Sequence, residues 1–280
     1  MKDSWKTADP YEYFMGRWSR LVAREFLQWL SPTPSLRWLD VGCGTGALSE
    51  TVMQNYDPLE LTAIDQSEAF VSTTQRLLGS KVHCRVRNAT DLGMDDSSVD
   101  LVVSGLVLNF ISEPKRALVE MKRVTTAGGT IAAYVWDYAG KMDFLRHFWD
   151  CAVELNPGAR NLDEGIRFPD CTPDALEKSF QSAGFENIKT TAIEIDTHFI
   201  NFNDYWRPFL GGQGPAPTYV MSLKETDRER LKESLHKRLP IQADGSITMI
   251  ARAWAASGQV GSKERPNNLF GRPRGAGFGG

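Results

Sequence analysis

The chain has 280 residues, of which 41% are hydrophobic and 24% charged, and its formal net charge is −3. This is enough apolar material for one large domain or two small ones, and it excludes a low-complexity or intrinsically disordered chain. The small acidic excess gives no field that would draw nucleic acid or anionic lipid, and the longest apolar stretch, residues 101–111, is too short for a bilayer and contains Ser104 and Asn109.

Lys2, Asp3, Lys6, Asp9 and Glu12 leave no apolar run for a signal peptide. Phe14, Trp18, Leu21, Val22, Phe26 and Trp29 recur at helical spacing and predict an amphipathic helix over 11–30, ended by Pro32 and Pro34. Short apolar runs then alternate with helical patterns. Strands are predicted over 36–41, 61–64, 82–87, 99–103 and 130–136, with helices over 47–55, 68–78 and 114–124 between them. Thr172-Pro173 opens a further helix that Gly184 stops. A sixth strand is predicted over 188–196, a charged helix over 225–238 and a seventh strand over 246–254. The alternation predicts βαβ units, hence an α/β fold with a parallel sheet. From Gly258 the chain is rich in Gly and Pro without apolar periodicity, which predicts a flexible tail. Cys43, Cys84, Cys151 and Cys171 lack metal-ligating spacing, so no metal site is expected, and a reduced, cytoplasmic protein fits them.

The first strand runs into Asp40-Val41-Gly42-Cys43-Gly44-Thr45-Gly46, and a helix follows. Glycines at such a turn admit positive φ and let a ligand approach the backbone. In an open α/β sheet the ligand crevice lies at the carboxyl ends of the strands, where Asp65 ends the second strand and is placed to accept from ribose hydroxyls. Together these residues predict a ribose-containing cofactor rather than a purely structural turn. Gly42-x-Gly44-x-x-Ala47 can also be written as a dinucleotide fingerprint. Asp40, however, would repel a pyrophosphate there and disfavours a nicotinamide dehydrogenase. It suits a ligand with ammonium and sulfonium groups, while the helix N-terminus accepts a carboxylate of the same ligand. S-adenosylmethionine has all three groups and no phosphate.

The same residues resemble the class I S-adenosylmethionine-dependent methyltransferases. The Asp40 to Gly46 loop is similar to that family's first motif and Ala63-Ile64-Asp65 to its second. Asn88-Ala89-Thr90-Asp91-Leu92 resembles the segment after the third strand, and Asp100-Leu101-Val102-Val103-Ser104 the fourth strand. Glu120-Met121-x-Arg123-Val124 resembles the helix after it, and Gly128-Gly129 the turn into the fifth strand. The resemblance implies a Rossmann-like, seven-stranded, mostly parallel sheet with helices on both faces and a reversed last strand. It implies S-adenosylmethionine as cofactor and S-adenosylhomocysteine as product. Gly42, Cys43 and Gly44 would approach the methionine part, and Asp40 its amino end. Asp65 would hold the ribose, with Gln66 beside the adenine. Asn88 and the Ala89 backbone would read the adenine edge, and Ser104 and Gly105 would flank the methionine portion. Asn88 departs from the aspartate usual in the family, although an amide oxygen still accepts from an adenine amino group. Tyr13, Arg17 and Trp18 are expected to close over the cofactor, with Arg17 on its carboxylate.

Methyl transfer from a sulfonium is an in-line displacement, so the protein mainly aligns donor and acceptor. A general base is needed only where the acceptor must lose a proton. Asp137, His147 and His198 follow the fifth and sixth strands and are the weak candidates, each more often a cap, turn or packing residue than a base; Asn109 could orient an acceptor. Tyr134, Trp136, Tyr138, Phe144, Phe148, Trp149, Phe199, Phe202, Tyr205, Trp206 and Phe209 predict an aromatic-rich lid from insertions near 137–172 and 197–240, with a glycine-rich loop at 211–215 over the pocket. The expected organisation is a cofactor-capping helical segment over 1–35, a methyltransferase domain over 36–257 and a flexible tail over 258–280. The expected function is methyl transfer to a small, apolar or aromatic molecule through an O, N or C atom. An RNA or protein acceptor is disfavoured by the acidic balance and the lack of an Asn-Pro-Pro-Tyr motif; a non-catalytic nucleotide-binding module is the other alternative. No nucleic-acid or membrane partner is expected, and the sequence leaves the oligomeric state open.

Overall fold

A computed structural model of the protein describes residues 12–211 and 214–261. The apolar runs form β1 (Arg37–Val41), β2 (Glu60–Asp65), β3 (His83–Val86), β4 (Val99–Gly105), β5 (Thr125–Trp136), β6 (Glu186–Phe199) and β7 (Ile247–Gln259). They make one sheet in the order β3-β2-β1-β4-β5-β7-β6. β1 to β5 pair in parallel, and β7 lies antiparallel to both β5 and β6. The reversed strand is therefore β7, and β6 runs with the rest. Trp38, Leu39, Asp40 and Val41 are all buried although neighbours on a strand face opposite ways, so both faces of the sheet are covered.

A π-helical turn, Glu12–Gly16, leads into α1 (Arg17–Leu30). The crossovers carry α2 (Ala47–Asn55), α3 (Glu68–Leu78) and α4 (Pro114–Val124). The remaining helices are α5 (Asp143–Leu155), α6 (Glu164–Arg167), α7 (Pro173–Ser182), α8 (Phe202–Trp206), α9 (Pro215–Ser222) and α10 (Glu225–Arg238). Local chemistry sets the starts: Ser67 accepts from the Phe70 N–H at α3, and Thr172 from the Ala175 N–H at α7. No helix among the described residues is long and apolar enough to cross a membrane.

Two boundaries differ from the sequence reading. β5 begins at Thr125, whose pairing with Val99 precedes a register shift, so Gly128 and Gly129 lie within the strand. β7 runs to Gln259, into the segment expected to be flexible, because the early part of β5 supplies partners: Gly128 N–H donates to Val260 O and Val260 N–H to Gly129 O, at 2.8 and 2.9 Å. Residues 262–280 of the expected tail, and Gly212 and Gln213 of the expected loop, lie outside the described residues.

The insertion aromatics pack against one another and are continuous with the core of the sheet. Phe148 stacks on Phe209 with centroids 4.6 Å apart, Phe14 meets the edge of Phe209 at 5.2 Å and Trp18 that of Phe199 at 5.2 Å. Tyr205 is buried there and its hydroxyl donates to the Phe144 carbonyl. This packing, rather than a ligand, accounts for most of the aromatic residues.

Asp137, a candidate base by sequence, is a structural staple. Its Oδ1 accepts from the Gly140 N–H, its Oδ2 from the Lys141 N–H, and Arg252 closes an ion pair on Oδ2 at 2.6 Å. With the carboxylate buried and Arg252 only partly exposed, Asp137→Ala is expected to lower unfolding free energy by about 2–3 kcal/mol, at or just below the range for breaking a buried pair. Urea denaturation measures this loss; an unchanged midpoint would show that the carboxylate is not structural.

Candidate functional site

Strand order reverses between β1 and β4, so the connections that follow these two strands leave in opposite directions and a crevice opens at their carboxyl ends. The glycine loop sits there. Gly42 has φ 80°, and a Cβ on it would lie 2.6 Å from both Cγ atoms of Val107, so this position needs glycine twice over. The Gly42 and Cys43 N–H groups donate to the Ile64 carbonyl at 2.7 and 2.9 Å, which pins the loop to β2.

A cleft of about 220 Å³ lies over this loop. Asp40, Gly42, Cys43, Gly44, Thr45, Asp65 and Gln66 line it from below, and Gly105, Leu106, Val107 and Phe110 from the end of β4. Tyr134, Trp136 and Tyr138 form a wall at the end of β5, and Met15 and Ser19 approach from the N-terminal helix. A second chamber of about 550 Å³ shares Gly42, Asp65, Gln66, Val107 and Phe110 and adds Arg87, Asn88 and Ala89.

The two carboxylates differ. Asp65 is satisfied by backbone: its Oδ2 accepts from the Gly44 N–H at 3.0 Å and its Oδ1 from the Ser67 N–H at 2.8 Å, while burial pushes its carboxyl upward. Asp40 is buried outright; Ser49 donates to its Oδ2 at 2.7 Å, and its Oδ1 is buried with no hydrogen-bond partner. Burial pushes the Asp40 carboxyl up to about 7, against the Ser49 hydrogen bond, which lowers it. Burial also pushes the Cys43 thiol well up, which removes it as a thiolate nucleophile. The described lining of the first chamber carries these two carboxylates and no Lys, Arg or His.

The structure brings together Asp40, Gly42, Cys43, Gly44, Asp65, Gln66 and Gly105 at the first chamber, and Asn88 and Ala89 at the second. Other candidates lie elsewhere. Arg17 lines neither chamber: its Nη1 pairs with Asp204 at 3.2 Å, and its guanidinium carbon lies 4.2 and 4.7 Å from the ring centres of Trp18 and Phe199. Ser104 is buried and donates to the Val41 carbonyl at 2.8 Å, tying β4 to β1. The Asn88 Oδ1 accepts from the Thr90 N–H and hydroxyl, so the oxygen expected to meet an adenine amino group already holds two donors. His147, half-buried on α5 with burial lowering its imidazole pKa, and exposed His198, whose Nδ1 lies 3.1 Å from Thr248 Oγ1, line neither chamber and are not placed to act as bases. Asn109 also lies outside both linings, with both amide atoms buried and unpartnered. The side chain of Tyr13 lies outside the described residues. Sequence reasoning missed Met15, Ser19, Leu106 and Val107. The first two were hidden because a helix face that covers a ligand has the same apolar period as one that covers a core.

Residues 39–133 match the methyltransferase domain family. Methyltransferase tpcH of Aspergillus fumigatus is 27% identical over 177 residues, covering 56% of this chain and 59% of that protein, so this chain spans less than two thirds of its length. Methyltransferase ucsB of an Acremonium species is 22% identical over 232 residues, covering 77% of this chain and 78% of that one. Among solved structures, phosphoethanolamine N-methyltransferase 2 of Haemonchus contortus, bound to phosphomonomethylethanolamine and S-adenosylhomocysteine, has the same fold, with a TM-score of 0.53 at 13% identity over 90% of this chain and 56% of that one. The segment 39–133 is thus similar to a methyltransferase domain, within a fold shared with solved methyltransferases.

Proposed function

We propose that this chain transfers the methyl group of S-adenosylmethionine to a small, apolar or aromatic acceptor in the cytoplasm. The observation that carries the cofactor assignment is Asp40. A buried oxygen without a partner costs about 1–3 kcal/mol, and an ammonium group set against the free Oδ1 removes that cost. The residues fit the rest of the cofactor as well: the α2 N-terminus for the carboxylate, Asp65 for the ribose, and Gln66, Asn88 and Ala89 for the base. When bound, the cofactor supplies a methyl already activated by its sulfonium. The protein's own task is alignment and exclusion of water. Phe110, Tyr134, Trp136 and Tyr138 supply a flat apolar wall for that purpose. Two carboxylates and no basic side chain among the described lining make the chamber hostile to an anionic acceptor, which favours a neutral one.

Calorimetry with S-adenosylmethionine is expected to show binding that Asp40→Asn weakens about tenfold or more, the loss of one charge-assisted hydrogen bond; equal affinities would remove Asp40 from the site. The pH dependence has two opposite signs. With its carboxyl raised to about 7 in the folded protein, Asp40 contributes stability that is complete below about pH 4 and is lost as pH rises through about 7. Buried Glu164, beside Trp149, adds the same slope and persists in the variant. Stability of the unliganded wild type relative to Asp40→Asn should therefore fall with rising pH over this window, as urea titrations of both at several pH values would show. Cofactor affinity should rise over the same window, because an ammonium prefers the ionised carboxylate. A metabolite extract incubated with the methyl-labelled donor is expected to yield label on a neutral, apolar or aromatic compound; label confined to anionic compounds would reject the acceptor class.

A further inference from the structure

Among the described residues, the non-glycine positions with positive φ are Ser31, Ser35, Ser97, Asn187 and Leu106. The serines and the asparagine are small polar residues that can offset this conformation with local hydrogen bonds. A leucine at φ 62° cannot; its Cβ crowds the backbone and its side chain returns no polar contact. Leu106 follows the last residue of β4. Its N–H donates to the Tyr134 carbonyl at 2.8 Å, one step beyond the Gly105–Tyr134 pair, and there the chain turns away from β5. The left-handed turn carries Val107 over the end of β1, where its Cγ atoms fill the space that a Cβ on Gly42 would occupy. Glycine makes such a turn without strain, so backbone geometry alone gives no reason for leucine here. What leucine adds is an apolar side chain, and Leu106, partly packed on the core, is a residue of the first chamber's lining and not of the second's, whereas Val107 lines both.

We propose that Leu106 is a positioning residue, a partition held against the methionine end of the cofactor by its strained backbone and facing the acceptor on the other side. Strain retained at a site wall is the pattern expected of a residue kept for its role there. The inference rests on the methyltransferase reading, and its test separates the two. Wild type, Leu106→Ala, Leu106→Gly and Leu106→Met are titrated calorimetrically with S-adenosylmethionine and, separately, with adenosine, and their thermal unfolding is recorded. Ala and Gly are expected to lose about fivefold or more in S-adenosylmethionine affinity, the loss of one apolar contact, while adenosine affinity is unchanged. Met, which keeps an apolar side chain of similar volume, should stay near wild type. Gly should melt about 2 °C above Ala, because only alanine keeps a strained Cβ; affinity then does not follow stability. Unchanged S-adenosylmethionine affinity in Ala and Gly, or an equal loss for adenosine, overturns the partition role. Failure of the wild-type protein to bind S-adenosylmethionine overturns the cofactor assignment, and this inference with it.

Discussion

The Ser104 hydroxyl donates to the Val41 carbonyl at the point where β1 and β4 stop sharing a ladder. Pairing between them runs from Trp38–Leu101 to Asp40–Val103. Beyond it the strands must part if anything is to bind between their ends, and parting leaves a buried carbonyl that would otherwise go unsatisfied. Ser104 satisfies it with a side chain, which frees the main chain to diverge. On one side Gly42 turns its N–H toward Ile64; on the other Leu106 bends the chain away from β5. At the crevice that the strand order opens, this hydrogen bond lets two backbones separate without losing a partner.

What lines the crevice is divided between satisfied and unsatisfied polar groups. Asp65 is held by two N–H groups and fixes the loop. Asp40 has Ser49 and nothing else, and burial opposes its charge. A sequence selected only for stability would place an apolar residue at such a position. Retaining the carboxylate there, like retaining a leucine in left-handed geometry, keeps the empty fold below its stability optimum in favour of the site.

Most of the sheet was legible because its signals are local. Apolar runs, the glycine turn, Thr172-Pro173 and the acid ending β2 each act within a few residues. Candidates that fall away from the chambers, or whose polar atoms are already engaged, are held by distant partners in some cases and by local ones in others. Arg17 could not be read because its partner, Asp204, lies 187 positions away, and Asp137 is claimed by Arg252, 115 positions away. Ser104 was placed on the right strand but its hydroxyl turns to a neighbouring carbonyl. Asn88 lines the second chamber, yet its oxygen is taken by Thr90, a local contact that the amide-for-carboxylate comparison overlooked. For Leu106, the hydrophobic pattern says only that the side chain is apolar; positive φ leaves no mark on a leucine as it does on a glycine.

The N-terminal helix joins these levels. On one side Met15 and Ser19 face the cleft; on the other Phe14 and Trp18 enter the aromatic core of the insertions, and Arg17 pairs with Asp204 beside them. Because dense side-chain packing transmits small shifts, this helix cannot move off the cleft without disturbing the rings of Phe199 and Phe209. The wall of the cleft formed by Met15 and Ser19 and the packed aromatic rings are therefore mechanically one body. Substitutions among those rings are therefore expected to be felt at the cleft through Met15 and Ser19.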